Sequence, residues 1–143
     1  MTGRDDDARR AWHAMSELVL RNDRKEDVAK EIGVSFARVR VLRRLIEEPL
    51  TLKALSARLN ADPPYVTLMI DNLEDLGLVE RKPHPSDRRA KLVELTAPGR
   101  AAAQRAEQLL SAPPPEMLNL TRTQLASLAD TLNAVAKSPE ESQ

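Results

Sequence analysis

The sequence of 143 residues contains no cysteine, only four glycines and only three aromatic side chains. Without cysteine the chain cannot form a disulfide, a thiolate zinc site, a cysteine nucleophile or a thiol-based redox sensor. It also has no excess of charge, because 22 basic residues balance 22 acidic ones. Recognition of a nucleic acid would therefore have to depend on local clusters of positive charge rather than on net charge.

Long apolar runs are absent as well. No stretch of about 18 apolar residues is present, so we expect no membrane-spanning helix. The opening stretch MTGRDDDARR is too acidic and polar for a secretory signal peptide, which predicts a cytoplasmic protein. A hydrophobic content of 41% with 31% charged residues is typical of one globular domain.

Features of an enzyme are also missing. The sequence has no glycine-rich phosphate loop and no nucleophile at a plausible spacing from a base, so we expect neither catalysis nor a cofactor. The two histidines, His13 and His84, are far apart in the chain, which favours surface histidines over a metal site.

Helix boundaries are marked by capping residues and by prolines. Residues 6–31 lack proline and glycine and predict one long amphipathic helix with a weak point at the charged stretch RNDRKED. Later helices are predicted to begin at the capping residues Ser35, Thr51, Asp62, Thr96 and Thr121. Pro63 strengthens the third of these starts. Gln124 gives the last one capping-box spacing, and the prolines at 113–115 must end the helix before it.

After Gly77 the apolar spacing changes from helical to alternating. Val79 lies before the polar turn HPSDRRAK (84–91), and Leu92, Val93 and Leu95 follow its tip, which predicts two short strands joined by a turn. The order helix, short helix, helix and hairpin over residues 36–95 predicts a winged helix-turn-helix. In that motif the second helix of the pair enters a DNA groove and the hairpin, or wing, lies over the backbone.

With this order of elements, the sequence resembles the MarR family of transcriptional regulators. Residues 50–100, LTLKALSARLNADPPYVTLMIDNLEDLGLVERKPHPSDRRAKLVELTAPGR, carry the family's recognition-helix pattern, its LGLVER strand entry and its wing signature of aspartate, arginines and a terminal LT. The resemblance implies a mainly α fold with a small two-stranded β wing. It divides the chain into an N-terminal dimerisation helix (1–34), a winged helix-turn-helix DNA-binding domain (35–96), C-terminal dimerisation helices (97–137) and a frayed tail (138–143).

The resemblance further implies a homodimer that binds double-stranded DNA at a pseudo-palindromic operator, with half-sites about 10 bp apart or a multiple of it. Repression of transcription and release by a small-molecule effector are the family's tendency. Two rival hypotheses remain open at this stage: a winged-helix module whose partner is another protein, and a ligand-binding protein without DNA binding.

Residues of the wing are the first candidates for DNA contacts. The resemblance assigns one wing arginine to the minor groove and gives Asp87 the role of holding the turn by pairing with a neighbouring arginine. We favour Arg88 for insertion and Arg89 as the partner of Asp87. Phosphate contacts are expected from Arg81, Lys82 and Lys91. If the flanking pattern is ignored, the turn is better interpreted as an ordinary cluster of charges exposed to solvent.

The recognition helix departs from the family at Leu68, where a basic residue is common. Direct readout is then expected from Pro64, Tyr65 and Thr67, although Tyr65 is equally well explained by packing. On the preceding helix, Lys53 and Ser56 are candidates for phosphate contacts. Ser56 is equally well explained as a residue on the helix surface with no role in DNA binding.

Three large apolar residues could line an effector pocket: Trp12, Met15 and Phe36. Large apolar side chains at helical spacing are more often buried packing residues, so the core is the favoured interpretation for all three.

Overall fold

The computed structural model describes residues 3–137. Seven α-helices are present in this range: α1 (Gly3–Arg21), α2 (Lys25–Ile32), α3 (Phe36–Arg44), α4 (Leu52–Leu59), α5 (Pro63–Asp75), α6 (Ala97–Ser111) and α7 (Arg122–Ala136). The strands are β1 (Leu50–Thr51), β2 (Val79–Pro83) and β3 (Lys91–Leu95), and a short 3₁₀ helix covers Pro115–Asn119. The predicted fold class, mainly α with a small two-stranded β wing, is confirmed, and the sheet contains one further strand. The predicted tail, residues 138–143, lies outside the described residues.

Most helices begin where the capping residues predict. The Ser35 and Thr51 side chains accept hydrogen bonds from backbone amides in the first turns of α3 and α4. Asp62 occupies the N-cap of α5, but its carboxylate accepts no capping hydrogen bond. The prediction of side-chain capping by Asp62 is therefore wrong, and the backbone carbonyl of Asp62, which accepts from Val66 N–H at 3.0 Å, begins the helix instead.

The predicted single helix over residues 6–31 is two helices, with a break at residues 22–24. The Asn22 side chain donates to the Leu18 carbonyl at 2.8 Å, and the Asp23 carboxylate accepts from Lys25 N–H at 3.0 Å. Asparagine and aspartate side chains compete in this way with the helical hydrogen-bond ladder. The break therefore needs no proline or glycine.

The sheet has three strands in the order β1-β3-β2, and both pairings are antiparallel. β2 and β3 form the predicted hairpin, with Val79 opposite Leu95 at its base. β1 pairs with the middle of β3 and was not predicted, so the sheet has one strand more than the predicted wing. Two residues are too few for an alternating pattern to be recognised.

One apolar core lies between α3, α4, α5, the sheet and α6. Its largest fully buried side chains are Leu42, Leu45, Leu55, Met69, Ile70 and Leu73. A smaller cluster of Val28, Val39 and Ala106 joins α2, α3 and α6. Each fully buried valine, leucine, isoleucine or methionine side chain stabilises the fold by about 1.5–3 kcal/mol. The helix-turn-helix and its sheet are thus held rigidly to α2 and α6.

The start of α6 docks closely against the base of the hairpin. The Thr96 hydroxyl accepts from Gly99 N–H at 3.1 Å and donates to the Gly77 carbonyl at 2.6 Å, which confirms Thr96 as the cap of α6. A Cβ on Gly99 would lie 1.7 Å from the carbonyl oxygen of Leu78. Only glycine fits at this contact.

The described residues form two compact units, one ending at Ser111 and one beginning at Ala112. In the second unit, Thr121 and Gln124 form the predicted capping box at the start of α7. Neither α1 in the first unit nor α7 in the second has a buried residue. None of the helices within residues 3–137 combines the length and the apolar character needed to span a membrane.

Candidate nucleic-acid interface

Helix α5 has a buried side and an exposed side of different chemistry. Its buried side chains are Val66, Met69, Ile70 and Leu73. On the exposed side of its first half are Pro64, Tyr65 (45% exposed) and Leu68 (58% exposed), and Thr67 is half-buried beside them. The beginning of α5 therefore presents an uncharged and mostly apolar surface.

The second half of α5 is acidic. It carries three carboxylates, Asp71, Glu74 and Asp75, and the helix contains no lysine or arginine at all. Any attraction of this region to the phosphates of DNA must come from its neighbours.

The turn between β2 and β3 is held by hydrogen bonds from its backbone amides to acceptors within the turn. Ser86 N–H donates to His84 Nδ1 at 3.1 Å, Ala90 N–H donates to the Asp87 carbonyl at 3.2 Å, and Arg89 N–H donates to the Asp87 carboxylate at 3.0 Å. Asp87 therefore does contact Arg89, but through the amide of that residue and not, as we predicted, through its guanidinium group. The charge of Arg89 is left free for another partner.

Arg88 and Arg89 are both exposed at the tip of the turn. Within residues 3–137, neither guanidinium group has an ion pair or a hydrogen bond. Two unneutralised arginines on a short turn make this the clearest site for an anion among the predicted residues.

Arg81 does not have the role that we predicted for it. Its side chain is only 18% exposed; Nη1 donates to Glu74 Oε1 at 2.8 Å and Nη2 to Asp71 Oδ1 at 2.6 Å. The Arg81 amide also donates to Glu74 Oε2 at 3.2 Å. Arg81 is therefore committed to two carboxylates of α5 and is not a free phosphate contact. The residue instead joins β2 to the acidic half of α5.

Lys82 lies on the opposite face of the hairpin from Arg81 and is also paired. Its ammonium group is 2.6 Å from Glu94 Oε1 and 3.5 Å from Glu80 Oε1. The hydrogen bond and the charge of Glu94 raise the pKa of Lys82, and the same hydrogen bond lowers the pKa of Glu94. Lys82 remains exposed, but its charge is already largely balanced.

A cavity of about 380 Å³ lies between the turn end of the wing and the start of α4. Four cations line it, together with Thr51 and apolar side chains: Lys53, Arg81, Arg89 and Lys91. Arg81 is paired with carboxylates of α5, so three cations that have no ion pair within the described part of the chain, from α4 and the hairpin, face one recess. Ser56 is not part of it: the side chain is buried, with 7% exposure for the residue, and its hydroxyl donates to the Leu52 carbonyl at 2.9 Å. Both interpretations of Ser56, as a phosphate contact and as a surface residue, are wrong.

Neither of the two described cavities brings the candidate effector residues together. Trp12 on α1 is 69% exposed, so the favoured interpretation of Trp12 as a core residue is wrong. Phe36 is half-buried against the small cluster around Val28, and Met15 is half-buried on α1. None of the three lines the described cavities.

A second cavity, of about 300 Å³, was not anticipated. It is lined by four arginines and two glutamates: Arg40, Arg43, Arg44, Arg58, Glu47 and Glu107. Arg43 pairs with Glu107, and Arg58 pairs with Glu48. Among residues 3–137, Arg40, Arg44 and Glu47 have no ion pair, so two unpaired guanidinium groups face one carboxylate and the cavity keeps an excess of positive charge.

Proteins with similar sequences are transcriptional regulators, which is consistent with a site for DNA on the wing. The model of the MarR family matches residues 34–91. The chain is 39% identical over 79 residues to an HTH-type transcriptional regulator of Mycobacterium leprae, covering 52% of this chain and 55% of that protein. It is 37% identical over 107 residues to an HTH-type transcriptional regulator of Mycobacterium bovis, covering 71% and 75%.

Among solved structures, the fold is similar to that of a MarR mutant from Escherichia coli complexed with operator DNA. The TM-score is 0.59 and the sequence identity 29%, and the match covers 87% of this chain and 92% of that one.

Proposed function

The chain belongs to the MarR family, whose members are transcriptional regulators and not enzymes, and we propose that it is a homodimeric repressor that binds a pseudo-palindromic DNA operator. The observation that carries this proposal is the pair of unneutralised arginines on the wing, beside the cation-lined recess at α4. The similarity to a regulator complexed with operator DNA supports it.

In the proposed complex Arg88 enters the minor groove, where a narrow groove concentrates negative potential. Arg89 lines the recess near α4, whereas Arg88 does not, so Arg88 is the wing arginine that is left for the groove. Arg89, Lys53 and Lys91 are suited to the phosphates of the adjoining strand. Asp87 keeps the turn in shape, and Lys82 contributes less because two glutamates already balance its charge.

Homodimerisation is supported by apolar side chains that no part of their own unit covers. In α1 these are Trp12, Val19 and Leu20, and in the second unit Leu118 and Val135 are the most exposed. An exposed apolar surface of this extent is typical of an interaction site. A second copy of the chain would cover it and would also place two wings on one operator.

Release by an effector is the remaining part of the proposal. The cavity around Arg40 and Arg44 fits a small anion better than the predicted set of Trp12, Met15 and Phe36, because it combines volume with unbalanced guanidinium groups. The proposed effector class is therefore a small carboxylate or phosphate compound.

The test is fluorescence anisotropy of the purified protein against DNA from upstream of its own gene, at about 150 mM salt, with a shuffled duplex as competitor. Specific binding exceeds non-specific binding by at least about a thousandfold in regulators of this kind. Where the upstream DNA does not reach that ratio, selection from a random duplex library extends the search. Failure of the selection to enrich any sequence would overturn the proposal.

A further inference from the structure

We infer that α5 reads its operator through the 5-methyl groups of thymines, which dock on the apolar surface formed by Pro64, Tyr65 and Leu68. The inference rests on the proposed function and specifies the base feature that is recognised.

These three side chains form one continuous patch. Leu68 lies three residues after Tyr65 and four after Pro64, and side chains at those spacings are neighbours on a helix surface. The patch lies opposite the buried stripe of α5, so it faces outward at the N-terminal half of the helix. Residues at the N-terminal end of a recognition helix are the ones that meet base edges in the major groove.

The N-terminal half of α5 has few side chains that could form hydrogen bonds to the edges of bases. The helix contains no arginine or lysine for the bidentate recognition of guanine. Of its three carboxylates, Asp71 and Glu74 are paired with Arg81, so the helix itself offers no positive charge to a phosphate. Its single amide side chain, Asn72, is half-buried and lies in the second half of the helix. Within the first half of the helix, what remains is apolar carbon and the hydroxyls of Tyr65 and Thr67, and the carboxylate of Asp62 lies at the N-cap before them.

The first turn of α5 also has fewer backbone donors than an ordinary helix. Pro63 and Pro64 occupy its first two positions, and proline has no N–H group. The free amides that commonly bind a phosphate at a helix N-terminus are therefore reduced by two. Phosphate attraction is thus left to the wing and α4, and base recognition to the apolar patch.

The thymine methyl is the apolar feature that the major groove offers to such a patch. A buried methyl group contributes about 0.8 kcal/mol, which corresponds to an approximately fourfold change in affinity for each methyl removed. Deoxyuridine has the same pairing edge as thymidine and lacks only this methyl.

The experiment measures binding to the selected operator with thymines replaced by deoxyuridine, one position in each half-site at a time. The expected result is a decrease of about fourfold for each methyl that touches the patch, at two or three positions of each half-site, with no decrease at thymines outside them. In the Leu68→Ala variant, the same replacements should have a clearly smaller effect.

Leu76→Ala is the matched control, because Leu76 is an equally exposed leucine at the far end of the same helix. This variant should keep the full sensitivity of the wild type to deoxyuridine, and thermal melting of both variants would verify that they fold. Equal binding of the thymidine and deoxyuridine operators by the wild type, or an operator without thymine in its half-sites, would overturn the inference and leave the proposed function intact. Failure to select any operator would overturn both.

Discussion

At the residue scale, Arg81 connects the wing to the helix beside it. Its guanidinium group is mostly shielded from solvent and donates to carboxylates from two turns of α5, while its amide bonds to one of them. These contacts fix the angle of the hairpin and at the same time reduce the negative charge of α5. Arg81 therefore supports DNA binding by positioning the wing rather than by touching a phosphate.

Replacement of Arg81 by alanine should lower the free energy of unfolding by about 1–2 kcal/mol, because two charged hydrogen-bonding groups lose their partner. Chemical denaturation of Arg81→Ala, Glu74→Gln and the double variant would measure the coupling between the two residues. We expect a coupling free energy of about 1 kcal/mol. Strictly additive effects of the two substitutions would contradict this role.

Lys91 and Lys82 are neighbouring cations of the hairpin that should differ in their contribution to DNA binding. Lys91 faces the recess beside α4, whereas Lys82 is held by Glu94 and Glu80. Lys91→Ala should therefore reduce the slope of log affinity against log salt concentration by about 0.9 for each phosphate that is no longer neutralised. Lys82→Ala should change the slope less. Equal changes in both variants would show that the glutamates do not hold Lys82.

Single residues of the site were only partly predictable. Strand alternation places Arg81 on the same face as the buried Val79, so the pattern already contained the signal that Arg81 points toward the domain. Burial of Ser56 also had a signal, because Ser56 continues the helical stripe of Leu52, Leu55 and Leu59. The choice of the Arg89 amide by Asp87 had none, because it depends on the conformation of the turn.

At the scale of elements, the helices of the DNA-binding domain were predictable because short-range signals mark their ends. Ser35, Thr51 and the Pro63–Pro64 pair act within a few residues of the boundary that they define. The α1–α2 break was anticipated only as a weak point within one helix, and β1 was not predicted at all. The break results from competition between side-chain and helical hydrogen bonds, and β1 exists only because β3 is available to pair with it.

Because α6 packs closely against the hairpin at Gly99, one added methyl group there should strongly destabilise the protein. Gly99→Ala would place a carbon 1.7 Å from the Leu78 carbonyl oxygen, so the backbone of one element must move. Overpacking of this kind costs about 1–3 kcal/mol and occasionally more, and we expect the upper end of that range. Thermal or chemical denaturation would measure it.

Gly3→Ala is the matched control for this substitution, since nothing lies within 4 Å of a Cβ at that helical position. It should change stability by no more than about 0.5 kcal/mol. Similar stability of Gly99→Ala and wild type would contradict the close contact.

At the scale of the whole molecule, zero net charge hides an uneven distribution. Free cations gather on the wing and the edge of α4, while α5 has only acidic charges. The apolar side chains of α1 and of the second unit are similarly uncovered within a single chain. Both features are explained if two copies associate and place their wings on the same DNA.

Dimerisation predicts a mass in solution of twice 15.9 kDa at micromolar concentration, measured by light scattering or sedimentation. Trp12→Ala should weaken the association at least about thirtyfold, because large aromatic residues at the centre of interfaces typically contribute about 2 kcal/mol or more. His13→Ala, a change at the exposed neighbour on the same helix, should leave the mass unchanged. A wild-type protein that is monomeric at these concentrations would contradict the proposed dimer.

Recognition of DNA by the wing is tested by operator affinity after removal of its two arginines. Anisotropy titrations would compare the wild type with Arg88→Ala/Arg89→Ala and with Arg58→Ala/Arg105→Ala, a control that removes the same charge from α4 and α6. We predict that the affinity of the wing variant falls at least about tenfold and that the control stays near the wild type, since each arginine contact contributes about 1–3 kcal/mol. Undiminished binding by the wing variant would contradict the assignment of the wing as the site of DNA recognition.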